Sequence, residues 1–501
     1  MDTSSKMAIL KLVLPHVPYL MWNAILHTLW MSPTSSKWDL KTEIAVKLIR
    51  AVLAAPSTRG VLQRQQVTLK DPGIKGKMWI SKVVLPVPSE ADALNCFCGV
   101  VDYLKTHTSA KYAKPSLLPV EVEWTGYRAD VDANRARPDL SESQHFERMM
   151  AETKTPVTTL YLHGGAFVMM DPASHRNAVA HLCQLTGGRA LSIRYRLAPQ
   201  NPFPAALLDA FVAYLSLLYP PTNSLHSAVE AKHIVFAGDS AGAALCLSLT
   251  QFLLRVNQNS PTGSKFHFHG HEVEFPLPMP AGVAAVSPWL DLTHSFPSWK
   301  SNHKYDYLPD REDGEWLGEI PPDSVWPTDP PRGDLYCDIS MLCHPLVSPA
   351  MAPDWSGAPP LWFCYGEEML VDEGKQVAQL AATQGVTVIW ESMESMCHCF
   401  GMVLWGSAIS KHFFDDWSGF CKAVCGVGEA ASQADAPAQS KANTPLETKG
   451  TFFKAKTRKA QDVDVRTLAV LSEVEASNRM GQAMIRRAQA PEKTATALPK
   501  I

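Results

Sequence analysis

Ser240 stands in Gly238-Asp239-Ser240-Ala241-Gly242, after the strand-like run His233-Ile234-Val235-Phe236 and before the small-residue stretch Ala243 to Leu254. A G-x-S-x-G pentapeptide in that setting predicts a sharp turn that projects the hydroxyl above a sheet, at a helix N-terminus, as a nucleophile. Alone it is a weak signal, because glycine and serine are common in turns. About 75 residues upstream, Val157 to Leu162 reads as a buried strand that breaks into His163-Gly164-Gly165-Ala166-Phe167. Attack on a carbonyl needs backbone N–H groups aimed at the developing oxyanion, and a glycine-rich loop can fold closely enough to supply them. A plain Gly-Gly turn is the competing reading of that dipeptide. Loop and elbow in this order favour an oxyanion hole over His163, Gly164, Gly165, Ala166 and Ala241, with Gly165, Ala166 and Ala241 as donors.

A third block, Tyr195-Arg196-Leu197-Ala198-Pro199 running on through Asn201-Pro202-Phe203-Pro204-Ala205-Ala206, joins the other two. On these three blocks the sequence resembles the hormone-sensitive-lipase-like esterases of the α/β hydrolases, with features of fungal members, some of which act in secondary metabolism. Two departures stand out: the family usually has a third glycine at Ala166 and a glutamate at Gln200. Neither touches the nucleophile, and both bear on substrate preference more than on mechanism.

The resemblance implies a triad in the order serine, acid, histidine. Pro359 to Tyr365 reads as a buried strand that runs into Gly366-Glu367-Glu368-Met369-Leu370-Val371-Asp372-Glu373-Gly374. A further strand, Val386 to Glu391, precedes Met396-Cys397-His398-Cys399-Phe400-Gly401, which matches the family's H-x-F ending and implies His398 as base. Glu367, Glu368, Asp372 and Glu373 all lie near the strand end. Aligning Asp372-Glu373-Gly374 with the family's D-x-G ending implies Glu368 as the acid, with Asp372 the runner-up. The implied activity is hydrolysis of short to medium carboxylic esters, including deacetylation of a larger metabolite, by two-step acyl transfer with no metal or organic cofactor. The alternatives are a related amidase, lactonase or acyltransferase, or a non-catalytic binding member of the fold; an intact triad speaks against the last.

Strands near 78–85, 118–125, 157–162, 189–195, 233–237, 281–287, 360–365 and 386–391 alternate with helical stretches. Such alternation predicts an α/β fold with a mainly parallel eight-stranded sheet, catalytic loops at the strand C-termini, and one catalytic domain over residues 74–426. The 501 residues are 46% hydrophobic and carry a formal charge of −3, which gives no reason to expect nucleic acid as a partner; the expected partner is a small-molecule ester. Eleven cysteines, an odd number without C-x-x-C spacing, suit free thiols in a reducing, cytoplasmic setting.

Residues 1–73 are expected to form an N-terminal helical cap or a membrane-interface segment. Leu12 to Ser36 holds no charged residue, yet Pro15 and Pro18 interrupt it, Asn23, His16 and His27 dilute it, and Tyr19 to Met31 is too short to span a bilayer. In the resembling family such helices cap the acyl pocket; peripheral membrane contact through residues 12–36 is the alternative. Leu40, Ile44, Leu48 and Val52 give the next helix a packing face. The proline-rich stretch 296–359, with Trp299, Trp316 and Trp326, reads as an excursion over the active-site face. Residues 427–501 read as a low-complexity, disordered and dispensable tail, with at most an amphipathic helix over 463–487.

Overall fold

Along each central strand, successive side chains enter opposite layers. Ile234 and Phe236 join one hydrophobic cluster, Val235 and Ala237 the other, as the period-2 geometry of a strand buried on both faces requires. The computed structural model describes residues 13–54, 59–309, 320–428 and 446–489. Its strands are β1 (Met78–Leu85), β2 (Val120–Tyr127), β3 (Thr158–Leu162), β4 (Arg189–Ile193), β5 (Ile234–Asp239), β6 (Lys265–Phe268), β7 (His271–Glu274), β8 (Gly282–Val286), β9 (Leu361–Gly366), β10 (Val388–Met393), β11 (Lys449–Phe453) and β12 (Ala460–Val463). Ten of them form one sheet in the order β1-β2-β4-β3-β5-β8-β9-β10-β11-β12, parallel from β4 to β11; β6 and β7 make a separate hairpin. All eight expected strands are present.

The helices longer than a single turn are α1 (Val17–Thr28), α2 (Leu40–Ala54), α3 (Val61–Thr68), α4 (Asp92–Tyr103), α5 (Glu142–Glu152), α6 (Pro172–Thr186), α7 (Ala205–Leu218), α8 (Ala241–Asn259), α9 (Val371–Thr383), α10 (Ala408–Val424) and α11 (Glu473–Gln489). Core residues of α4, α7, α8 and α9 fill one layer; those of α6 and α10 fill the other. The sequence dictates the ends of α6: Asp171 accepts from the Ala173 N–H, Pro172 starts the first turn, and Gly187 takes the left-handed conformation at the far end.

Two expectations are corrected. The sheet has ten strands, because the segment expected to be a loose tail adds β11 parallel to β10, from Ile389 opposite Lys449 to Met393 opposite Phe453, and β12 closes the edge. Beyond β12, α11 buries Ala476 and Met480 against Phe296 and Cys343. Arg487 donates to Leu292 O at 2.9 Å and to Asp334 at 2.6 Å. The helix expected over 463–487 starts only at Glu473, and Val474 in its first turn is exposed. The composition-based linker at 429–439 lies outside the described residues, as does Trp316.

The N-terminal segment threads onto the catalytic face. Trp38 is buried and donates from its indole to Ser395 O. Arg50 on α2 reaches the carbonyls of His303 and Asp306, and buried Gln65 on α3 donates to Val168 O and Ala198 O. No helix of the described residues is long and apolar enough to cross a membrane.

Candidate active site

Between β5 and α8 the chain turns at Ser240 with φ 53° and ψ −122°, a strained conformation for a residue with a side chain. The turn is held from both sides: Ser240 N–H donates to Val286 O at 2.9 Å, and its carbonyl accepts from Ala244 and Trp289. A Cβ at Gly242 would lie 2.0 Å from Leu162 O, so only glycine lets the start of α8 lie against β3. This is the elbow that the pentapeptide predicts.

The loop after β3 sits beside it, and Asp239 is the clamp. Its buried carboxylate accepts from Tyr161 Oη at 2.6 Å and from the Gly164 N–H at 3.1 Å, and faces His175 Nε2 at 3.3 Å. Burial works against ionising Asp239, but His175 and the Tyr161 hydroxyl outweigh it and hold the carboxyl at about 2. His163, buried and beside His175, is pushed down to about 3 and stays neutral. Its ring stacks on Tyr195, whose hydroxyl donates to His163 O at 2.6 Å. His163 and Gly164 are therefore engaged in fixing the loop. The N–H groups of Gly165, Ala166 and Ala241 take no acceptor among the described residues. Gly165 has φ 110°, and Ala166 and Phe167 also have positive φ, at 55° and 61°. The family's usual third glycine is intelligible here, since Ala166 adopts a conformation that favours glycine.

The four carboxylates after β9 have four different partners. Glu367 accepts from Ser395 N–H at 2.9 Å, and Glu373 from Leu290 N–H at 2.5 Å. Asp372 accepts from Ser298 N–H at 3.0 Å and pairs with Lys375 at 2.9 Å. Only Glu368 meets the histidine: His398 Nδ1 lies 2.7 Å from its Oε1, with both side chains buried. The other oxygen of Glu368 accepts from Ser287 Oγ at 2.6 Å and Gly366 N–H at 3.0 Å. Burial raises the Glu368 carboxyl, with His398 and the Ser287 hydroxyl pulling against it. At His398, burial opposes the imidazolium, but the negative charges that Cys399 and Glu368 can carry outweigh it and raise the ring well above its usual value. Burial pushes the Cys399 thiol up to about 11, so near neutrality the charge comes from Glu368.

Three residues that no motif singled out organise the site, two of them in this half. Ser287 links acid and base loop, because its hydroxyl also accepts from Cys399 N–H at 3.0 Å. Asp306 accepts from Met369 N–H at 2.9 Å and His398 N–H at 3.3 Å, tying the long excursion to both loops. His175 neutralises Asp239. Ser287 had a readable signal as the last residue of the strand expected over 281–287, which ends at Val286; Asp306 lies in a proline-rich stretch and had none.

Phe167 stacks on Tyr336 at 3.8 Å and faces Trp289 at 5.8 Å, while His294 lies flat on Trp299 at 3.7 Å. Trp326 is buried in the core. Gln200 and Gln65 pair amide to amide, one contact being 2.6 Å, so the position where the family has a glutamate bonds to α3.

Residues 159–402 match a family of proteins with the alpha/beta hydrolase fold. The chain is 32% identical over 245 residues to an acetyl-hydrolase of Streptomyces hygroscopicus, covering 48% of this chain and 67% of that one. It belongs to the hormone-sensitive-lipase-like esterases. This esterase is also 28% identical over 267 residues to an esterase of Acinetobacter venetianus, covering 53% and 75% of the two chains. The crystal structure of an esterase from the bacterial hormone-sensitive lipase family shares its fold, with a TM-score of 0.50 and 20% identity over 78% of this chain and 99% of that one. The protein is a carboxylic ester hydrolase.

Proposed function

We propose that this esterase cleaves short-acyl carboxylic esters through Ser240, His398 and Glu368. The observation that carries the reading is the buried 2.7 Å contact between His398 Nδ1 and Glu368 Oε1; it is tied to the strained Ser240 elbow through Val286, which accepts from Ser240 N–H, and the adjacent Ser287, which bonds Glu368 and Cys399 N–H. His398 takes the Ser240 proton as the hydroxyl attacks the ester carbonyl. The N–H groups of Gly165, Ala166 and Ala241 stabilise the oxyanion, and His398 returns the proton to the departing alkoxide. Water, activated by the same imidazole, then releases the acid. Glu368 fixes the Nδ1–H tautomer and stabilises the imidazolium.

Preference for a short acyl group is supported by the aromatic side chains of Phe167, Trp289 and Tyr336, which crowd beside the oxyanion loop. The likeness to an acetyl-hydrolase points the same way. The segment from Trp38 through α2 and α3 serves as the cap on this reading, since Trp38, Arg50 and Gln65 bond to the loops around His398 and Phe167.

The test is hydrolysis of p-nitrophenyl esters from acetate to palmitate by the wild type and Ser240→Ala. Turnover that peaks at short chains and vanishes in the variant is expected. Undiminished turnover in Ser240→Ala would overturn the nucleophile, and a peak at long chains would overturn the acyl preference.

A further inference from the structure

Helix α1 turns an apolar face to solvent. Asn23 is buried, and His27 Nδ1 lies 3.1 Å from Glu43, a fully buried carboxylate on α2 that also accepts from Ser32 at 2.9 Å and from the Thr34 hydroxyl. This buried polar network fixes the rotation of the helix. Leu20 is buried, but on the outward face Met21 is 61% and Trp22 60% exposed with Ile25, and the flanking Leu14, Leu29 (61%) and Trp30 (70%) extend it. Isolated exposed apolar residues are ordinary on a protein surface, but a contiguous stripe with two tryptophans marks an interaction face.

The turn between β11 and β12 lies against this stripe. Lys456 sits over the Trp30 ring, 4.7 Å from its centroid, and donates to Ser35 O at 3.2 Å. Lys454 and Lys37 share Glu394, while Arg458 and Lys459 are exposed on the same turn. Segments more than 400 residues apart in sequence thus form one surface, an apolar stripe bordered by cations. That is the composition of a helix lying in a membrane interface, with tryptophan at the headgroup level and lysine and arginine on anionic lipid. An isologous pairing with a second copy would bring the cationic border near itself, whereas an anionic bilayer complements it.

We propose that α1 and the Lys454–Lys459 turn form a docking face for anionic lipid bilayers, which the enzyme occupies peripherally, without crossing. The docking does not depend on the triad assignment. Trp38, which follows the stripe, bonds to Ser395 three residues before His398, so docking would place the His398 side of the site toward the membrane, where lipophilic esters partition.

The test uses the full chain with large unilamellar vesicles of phosphatidylcholine, alone or mixed with phosphatidylserine, read by co-sedimentation and by tryptophan quenching with bromine-labelled acyl chains. Binding to the mixed vesicles that weakens with salt is expected. Trp22→Ser with Trp30→Asn, and separately Arg458→Glu with Lys459→Glu, should each reduce partition on the order of tenfold or more, with p-nitrophenyl acetate hydrolysis and thermal melting unchanged. If the tryptophan pair melts early, the charge-reversal pair and the wild-type quenching decide. No binding to mixed vesicles, or equal binding by a folded variant, overturns the proposal. So does a concentration-dependent dimer in light scattering that the tryptophan pair abolishes, because the face would then belong to a second copy.

Discussion

Replacing Glu368 by glutamine removes a charge and, by the geometry around it, also reverses a hydrogen bond. Oε2 of Glu368 accepts two donors, Ser287 Oγ and Gly366 N–H, whereas Oε1 faces only His398 Nδ1. In Glu368→Gln the amide oxygen must therefore stay at the Oε2 position, which turns the NH2 group toward His398. A donor there demands an accepting Nδ1 and shifts the ring proton to Nε2, the nitrogen that must take the serine proton. A wrong-tautomer triad of this kind loses about four orders of magnitude in kcat, or about 5 kcal/mol of transition-state stabilisation. Asp372→Asn keeps an oxygen for Ser298 N–H and gives up only the pair with a part-exposed Lys375, worth up to about 1 kcal/mol. Its kcat should stay within about tenfold of wild type. The assay is steady-state hydrolysis of p-nitrophenyl acetate, normalised by active-site titration with a phosphonate and accompanied by melting curves. Equal losses in the two variants, or a larger loss in Asp372→Asn, would refute the assignment of the acid.

Because only the unprotonated His398 ring can accept a proton, and its folded value lies above the ordinary imidazole value of about 6.5, activity should fall off on acidification with a midpoint above that pH. A kcat/KM profile with its midpoint at or below 6.5 would contradict the pairing with Glu368. Gly165→Ala places a Cβ 2.1 Å from Met169 O at φ 110°, which displaces the loop; kcat should drop about 100- to 1000-fold with KM less affected, and unchanged kcat would exclude this loop from the oxyanion hole. Arg487→Ala leaves the buried Asp334 carboxylate without its cation and should cost about 3–5 kcal/mol of stability. An unchanged denaturant midpoint would mean that α11 is not fastened through this pair.

The sheet and the catalytic candidates were legible because each announces itself locally. Ile234 to Leu254 carries strand, glycine elbow and small-residue helix in one run, and the central strands, such as β8 and β9, are apolar runs bounded by turns. What was hidden depends on partners distant in the chain. Thr451-Phe452-Phe453 is too short to read as a strand until β10 presents an open edge to it. The helix after it has alanine and methionine as its buried residues amid charges, so its amphipathic pattern is faint. Gly164 belongs to the oxyanion loop in sequence, but nothing local shows that the side chain of Asp239, 75 residues later, takes its N–H. The four carboxylates after β9 are alike in chemistry; the resemblance alone singled out Glu368 in the sequence, and the fold gives each a different partner.

The late arrival of β11 has a consequence for biosynthesis. The residues proposed for catalysis, from Gly165 to His398, leave the ribosome while β10 still lacks its outer neighbour, since β11 and β12 follow only at 449–463. At roughly 5–20 residues per second, the 70 residues from Met393 to Val463 take about 4–14 s to make. During that interval Val388, Ile389 and Trp390 lie on an open parallel edge, the kind that templates association between nascent chains. Pausing downstream of β10, or a stop codon between 428 and 449, would leave a chain with every proposed catalytic group and an adhesive flank; the closing strands act in effect as a built-in chaperone for the last edge.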